Sequence, residues 1–531
     1  MDQQHEDGLT TRPATSRARL PAMAMAAAGC CAVLAGCTAL PSLDGRVASR
    51  ALAHDDNTRI GRAIAPRAAG HSALSGVNVL LDGRDAFAAR IMMADAAERS
   101  LDVQYYIWRN DTTGMLMLRA LRAAAERGVR VRLLLDDNNT AGLDTALAVL
   151  DAHPNIEVRL FNPYVLRGAR TLGLLADFKR LNQRMHNKSF TADGQATVVG
   201  GRNVGDEYFD ATGQVLFADL DILAVGAVVT AVEKDFDRYW NSRSAYPAAT
   251  LLTPVAPEAA AALHARYERA AAEPVARAYL DAMRASTFAA ELTQQTLPLE
   301  WVPVELVSDD PEKVLGGAPE AGLAYQLPAK FGEPARQVDL VSPYFVPGAN
   351  WAARFELLAQ NGVKVRILTN SLEATDVKAV HAGYARWRKQ LVASGVTLLE
   401  LKRTWPRKGE PKRGGGPGGS SGSSLHAKTF AVDQSRMFVG SFNFDPRSAD
   451  LNTEMGFVID SAAMAQRMSA VLDKQILALA YEVKLTPQGQ LRWLERSSAG
   501  VQTWHETEPG ATLWQRGSVQ LMSLLPIDWL L

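Results

Sequence analysis

His186, Lys188 and Asp193 stand at the spacing H-x-K-x4-D, and Gly200, Gly201 and Asn203 follow. His426, Lys428 and Asp433 repeat that spacing, and Gly440, Ser441 and Asn443 follow. An imidazole serves as nucleophile or as general acid and base near neutral pH. A lysine ammonium and an asparagine amide are donors suited to phosphoryl oxygens. Two such sets set face to face would put one histidine on each side of a phosphate, with four donors around it. That arrangement suits in-line phosphoryl transfer through a phosphohistidine, the lysines supplying the charge that a metal would otherwise bring. Strand alternation would turn His and Lys of each H-x-K to one face. The Gly-Gly and Gly-Ser steps would let a turn come close to a ligand.

The elements that must carry these residues also repeat. Residues 101–108 alternate as a strand, residues 115–127 read as a helix, and residues 129–135 form the next strand. Residues 337–345 and 363–368 repeat the two strands. The offset is 362−128 = 234 at Gly128 and Gly362, and 426−186 = 240 at the histidines. A duplication is the simplest account. It implies an α/β protein of two pseudo-twofold-related domains, each a mixed, largely parallel sheet flanked by helices, with one active site at their interface. The expected halves are residues 76–247 and 300–486, joined by a helical connector, 248–299. A tether at 38–75 precedes them and a tail at 487–531 packs on the body. Residues 408–424, rich in Gly and Ser, form an insertion overhanging His426, either inert or a gate.

At 531 residues the chain exceeds one ordinary core. Lys+Arg and Asp+Glu both number 57, so no global field favours nucleic acid. The three cysteines, Cys30, Cys31 and Cys37, all lie near the N-terminus, which leaves no cysteine-based metal site in the body. Arg17 and Arg19 precede an apolar run, residues 22–35, of signal-peptide length. It ends in Leu34-Ala35-Gly36-Cys37, which resembles a bacterial lipobox. Residues 1–37 are therefore expected to be a lipoprotein signal peptide with Cys37 lipidated. The protein would face the periplasm, with the outer membrane favoured because Thr38 is not an aspartate.

Both motif segments resemble the HKD signature of the phospholipase D superfamily. The second continues Asp445-Pro446-Arg447-Ser448, then Leu451-Asn452-Thr453-Glu454, as in that family. Tyr105-Tyr106-Ile107-Trp108, Ser342-Pro343-Tyr344-Phe345-Val346-Pro347-Gly348 and Leu368-Thr369-Asn370-Ser371-Leu372 resemble its bacterial cardiolipin-synthase branch, the C type in particular. The resemblance implies two displacements without a cofactor. His186 is the nucleophile and His426 the acid and base by analogy, an order that near-symmetry leaves open. Lys188, Lys428, Asn203 and Asn443 would hold phosphate oxygens. Asp219 and Glu454 would each bond the far nitrogen of a histidine. Asp193 and Asp433 belong to the catalytic signature but read better as structural.

The function implied is formation of cardiolipin from phosphatidylglycerol and a second phospholipid, phosphatidylglycerol or phosphatidylethanolamine. Hydrolysis by a phospholipase D, a nuclease of the same superfamily and an inactive lipid-binding lipoprotein are the alternatives. Balanced charge argues against nucleic acid, and two intact motifs argue against inactivity. Elsewhere, Asp136-Asp137 reads as a solvated strand end rather than a metal pair. His381 reads as a packing residue in a helix, and Arg447 as structural. Tyr105, Tyr106 and Trp108 divide between the two faces of a strand.

Overall fold

The structure is a computed structural model. It describes residues 39–211, 217–317, 322–403, 424–497 and 499–524. The signal peptide, Cys37, nearly all of the 408–424 stretch and the last seven residues lie outside them.

Two sheets repeat one topology. The first runs Ser75–Leu80, Asp221–Gly226, Ala196–Gly200, Ser189–Ala192, Ser100–Ile107, Arg130–Asn139, Ile156–Phe161 and Ala245–Pro247. The second runs Val304–Ser308, Met455–Ile459, Arg436–Gly440, Thr429–Val432, Gln337–Val341, Lys364–Asn370, Thr397–Leu401 and Ala480–Leu485. Both sheets are mixed. Parallel pairing is confined to three central strands in each, where helical crossovers such as Thr112–Glu126 and Gly348–Gln360 join them. The motif strands arrive as hairpins and pair antiparallel.

The repeat extends to buried charge. Arg132 is paired with Asp102 and Asp237, and Arg366 with Asp339 and Asp473. Such buried guanidinium pairs tolerate the interior because both partners are satisfied. Each sheet has its own apolar core, and a further cluster is shared. Val199, Ile222 and Val232 of the first half pack there with Val439, Phe457 and Met464 of the second. The halves are thus fused along one apolar seam.

The edges differ from the sequence expectation. Glu300–Val302 pairs with Ser75–Leu80 in the first sheet, and the second sheet starts only after Pro303. Leu491–Arg496 and Gln502–His505 extend the second sheet beyond residue 486. The expected tether is docked rather than loose. Arg46 donates to the carbonyls of Asn241, Ser242 and Ala245, and Ala51 N–H donates to Asp237. Thr58 caps the helix Arg59–Ala68. Polar atoms exposed at a helix end gave this segment partners that hydropathy does not signal. The connector is three helices, Pro257–Ala272, Pro274–Arg284 and Thr287–Thr293, whose Tyr267, Tyr279, Met283 and Phe288 join the first core.

Candidate active site

Each H-x-K lies just before a strand, not within it, since Ser189–Ala192 and Thr429–Val432 begin one residue after the lysines. What holds the histidines is pairing across the seam. His186 N–H donates to Thr453 O at 2.8 Å, beside a bridge between Met185 and Thr453. Ser424–Leu425 runs parallel to Phe217–Ala218, and His426 N–H donates to Ala218 O at 2.8 Å. The next residue on each opposing strand is a carboxylate. The pairs are therefore crossed: His186 Nδ1 lies 2.8 Å from Glu454 Oε2, and His426 Nδ1 lies 2.5 Å from Asp219 Oδ2. Neither half can complete its own dyad. Bonding at Nδ1 fixes ring orientation and leaves Nε2 for chemistry.

The lysines share the histidines' pocket. Lys188 Nζ donates to His186 O at 2.5 Å, and Lys428 Nζ to His426 O at 2.5 Å. Lys428 Nζ is also 3.2 Å from His426 Nδ1. Tyr106 stands edge-on to His186 with ring centres 4.9 Å apart, and Tyr208 edge-on to His426 at 5.2 Å. Both histidines, both lysines and both carboxylates are buried.

Burial sets the charges, and the halves respond differently. It pushes His186 well below its ordinary value, helped by Lys188 and Lys428. His426 is lowered by burial and Lys428, while Asp219 pulls it back up. Burial brings Lys188 down to about 7 and lowers Lys428. It raises Glu454 to about 7. It also works to raise Asp219, but the His426 imidazole and Lys428 override it and hold that carboxyl well below the usual range.

Two stretches of the chain, residues 91–240 and 329–476, match the family described as "Cardiolipin synthase, PLD-like domain". The chain belongs to this family. It is 48% identical over 477 residues to cardiolipin synthase C of Escherichia coli (strain K12), covering 89% of this chain and 100% of that one. It is 25% identical over 399 residues to cardiolipin synthase A of Pseudomonas entomophila (strain L48), covering 75% and 67%. A crystal structure of phosphatidylserine synthase from Haemophilus influenzae Rd KW20 shares the fold, with a TM-score of 0.52 at 15% identity, covering 80% of this chain and 92% of that one.

Several residues of this PLD-like chain sit differently from the sequence reading. Asp193 and Asp433 are remote from the histidines, at the far ends of the motif strands. The Asp193 carboxylate accepts N–H bonds from Glu98, Arg99 and Ser100, and Asp433 from Ala335, Arg336 and Gln337. Each ties a hairpin turn to the start of the neighbouring strand, a structural task away from the histidines. The glycines of the first half make room for carboxylates rather than ligand: a Cβ at Gly200 would collide with Asp221 and one at Gly201 with Asp219. At the matching place, the Ser441 hydroxyl donates to Glu454. Asn203 is engaged within the protein, accepting from Ile107 N–H at 3.1 Å and donating to Tyr208 OH at 3.1 Å. The buried Asn443 Oδ1 has no hydrogen-bond partner among the described residues.

Asp136-Asp137 is buried, not solvated. Asp136 Oδ2 accepts Met185 N–H at 2.8 Å, and Asp137 holds Arg167 and Arg170. Among the described residues no cluster of three His, Cys, Asp or Glu is arranged for a metal. Asn370, offset by 234 from Asp136, does the matching task in the second half. It accepts Leu425 N–H at 2.9 Å and donates to Leu425 O at 3.0 Å, gripping the residue before His426 on both sides. The equal offset to that of Gly128 and Gly362 is the signal that could have found this pair. His381 is buried on the helix Lys378–Ala385 against Glu508 and Arg388. Arg447 donates to Asn182 across the seam. Tyr105 is buried under Arg90, while the neighbouring Tyr106 faces the site.

Proposed function

We propose that this chain is a phosphatidyltransferase that forms cardiolipin from phosphatidylglycerol and a second phospholipid, phosphatidylglycerol or phosphatidylethanolamine. The observation that carries the reading is the pair of crossed dyads, His186 with Glu454 and His426 with Asp219, flanked by Lys188 and Lys428. Close relatedness to a cardiolipin synthase supports the choice of lipid.

In this reading His186, held neutral by burial, has Nδ1–H directed at Glu454 and a lone pair on Nε2. Nε2 attacks the phosphodiester phosphorus. The P–O bond to the leaving alcohol breaks, and His426 gives that oxygen its proton. Asp219, a full carboxylate, stabilises the imidazolium that precedes this transfer. The product is a phosphatidyl-histidine. The acceptor alcohol then loses its proton to neutral His426 and attacks phosphorus, and His186 leaves. Lys188 and Lys428 balance the phosphoryl oxygens. Asn443, with its open carbonyl oxygen, contributes to the substrate pocket, and Asn203 braces the strand behind it.

The site works on lipid at a bacterial membrane. No helix among the described residues is long and apolar enough to cross a bilayer, and an acyl chain on Cys37 would supply an anchor facing the periplasm, with the outer membrane as its place. Replacing Cys37 by Ser should leave the precursor unprocessed or free the protein from membranes. The activity is tested by giving purified protein labelled phosphatidylglycerol, with and without phosphatidylethanolamine. Cardiolipin is the expected product. Phosphatidic acid alone would make the chain a hydrolase, and no product from either mixture would overturn the reading.

A further inference from the structure

Beyond the site, the helix Leu513–Ser523 presents an unusual outer face. Its start is fixed by a reciprocal box between Thr512 and Gln515. Its inner face is docked, with Val519 packed on Leu372 and Ala382. Its outer face carries Leu513, Gly517, Leu521 and Leu524 at helical spacing. Leu513 is 79% exposed, Leu521 66% and Leu524 78%, and Trp514 beside them is 89% exposed. Single exposed apolar residues are ordinary, but a stripe of leucines with a tryptophan at one end marks a contact surface.

Charge and position name the occupant. The helix has no acidic residue, and its one charge is Arg516. Arg516 donates to Ala511 O and Glu508 O, and no carboxylate among the described residues pairs with it. The two acids just before the helix are already engaged, Glu506 by Arg492 and Glu508 by Arg388 and His381. An apolar stripe with a tryptophan and a cation suits the interface of an anionic bilayer. The helix packs on Lys378–Ala385, just before which stands Asp376. The Asp376 carboxylate accepts a 2.8 Å bond from Tyr344 OH. Tyr344 lies near Tyr106 and Tyr208, the rings that flank the two histidines. One helix and the Asp376–Tyr344 bond thus link the stripe to the rings beside the histidines.

We propose that this stripe seats the enzyme on an anionic phospholipid surface, on the side of the molecule that leads through Tyr344 to its active site. The proposal rests on the reading of the substrate as a diacyl lipid, which its chains keep in the bilayer. In the full-length protein, vesicles of phosphatidylglycerol brominated in the acyl chains should quench part of the tryptophan emission, and Trp514→Phe should remove that quenched part. Trp514→Asp with Leu521→Asp should lower turnover of vesicle lipid at least tenfold. Turnover of a monomeric short-chain phosphatidylglycerol should stay within about twofold, and that arm reports the catalytic site independently of docking. Three results would overturn the proposal: unchanged quenching in Trp514→Phe, unchanged vesicle turnover in the double variant, or a protein dimer that the double variant dissolves without loss of vesicle turnover. Shielding of Trp514 from iodide before vesicles are added would also overturn it, because the stripe would then be covered within the protein.

Discussion

The two half-sites have matching positions and unlike chemistry. Each has a histidine whose Nδ1 meets a carboxylate from the other half and a lysine on the histidine's own carbonyl. In one, the acid is Glu454, bonded by the Ser441 hydroxyl and raised to about 7 by burial. In the other, it is Asp219, placed against Gly201 and held ionised by His426 and Lys428. A duplicated scaffold repeats the backbone and leaves side chains free to diverge. Here the divergence gives one imidazole a carboxylate held ionised and the other a carboxyl that burial raises to about 7. In the proposed mechanism the first suits the imidazole that moves protons, and the second leaves its imidazole neutral for attack.

The comparison can be broken most forcefully at the histidines. His186→Ala and His426→Ala should each lower kcat roughly 10^4-fold or more, because they act as a unit. The two should part company on a phosphodiester with an activated leaving group such as p-nitrophenol. That substrate needs no proton from His426, so formation of the adduct should recover in His426→Ala and stay absent in His186→Ala. Equal recovery in both would erase the distinction.

The carboxylates come next. Asp219→Asn should cost on the order of 10^3-fold in kcat, since it removes a charge and invites the wrong tautomer. Glu454→Gln should cost about tenfold at pH 7, because that carboxyl is already partly protonated. The pH profile sharpens the test. Lys188, lowered to about 7, loses its charge as pH rises, so kcat/KM should fall above about pH 7. Glu454 works to raise Lys188, so Glu454→Gln should move that limb to lower pH. Equal losses in the two variants at pH 7 would show the halves to be electrostatically alike.

Smaller effects separate residues that aim a histidine from residues that hold a sheet. Asn370→Ala frees Leu425 at both its N–H and carbonyl. It should lower kcat about tenfold with KM nearly unchanged, because His426 loses its bearing rather than the substrate its contacts. Asp193→Asn should cost about 1–3 kcal/mol of stability, seen as a lower Tm, because one of the two oxygens that accept the N–H groups of Glu98, Arg99 and the buried Ser100 is lost. The folded fraction should keep kcat within about threefold. The more exposed Asp433 should cost less on the same substitution.

These particulars show what a sequence can and cannot disclose. The paired H-x-K segments were legible because chemistry needs those residue types at a fixed spacing, and two copies exposed the duplication. The strand-helix-strand core was legible from alternation and from the matching Gly128 and Gly362 segments. The crossing of Asp219 to His426 and of Glu454 to His186 was not, because it depends on how one half meets the other rather than on local order. Asp193 was ambiguous for a related reason. Its spacing ties it to the motif, while its partners, the N–H groups of residues 98–100, lie along a different strand. Asn203 and Asn443 look alike in sequence. One is used up within the protein, its oxygen taken by Ile107 N–H and its amide by Tyr208, while the oxygen of the other meets no partner among the described residues. The docking of residues 46–51 was hidden because it runs through backbone atoms and carries no hydrophobic period.

The central claim is that His186 forms the covalent bond to phosphorus and His426 moves the protons. Rapid quenching of the enzyme with phosphatidylglycerol labelled at phosphorus, followed by peptide mapping under alkaline conditions that preserve phosphohistidine, measures it directly. The label should be found on the peptide containing His186, and it should accumulate in His426→Ala with the activated substrate. Label on the peptide containing His426, with none on His186, would contradict the account and exchange the roles of the two halves.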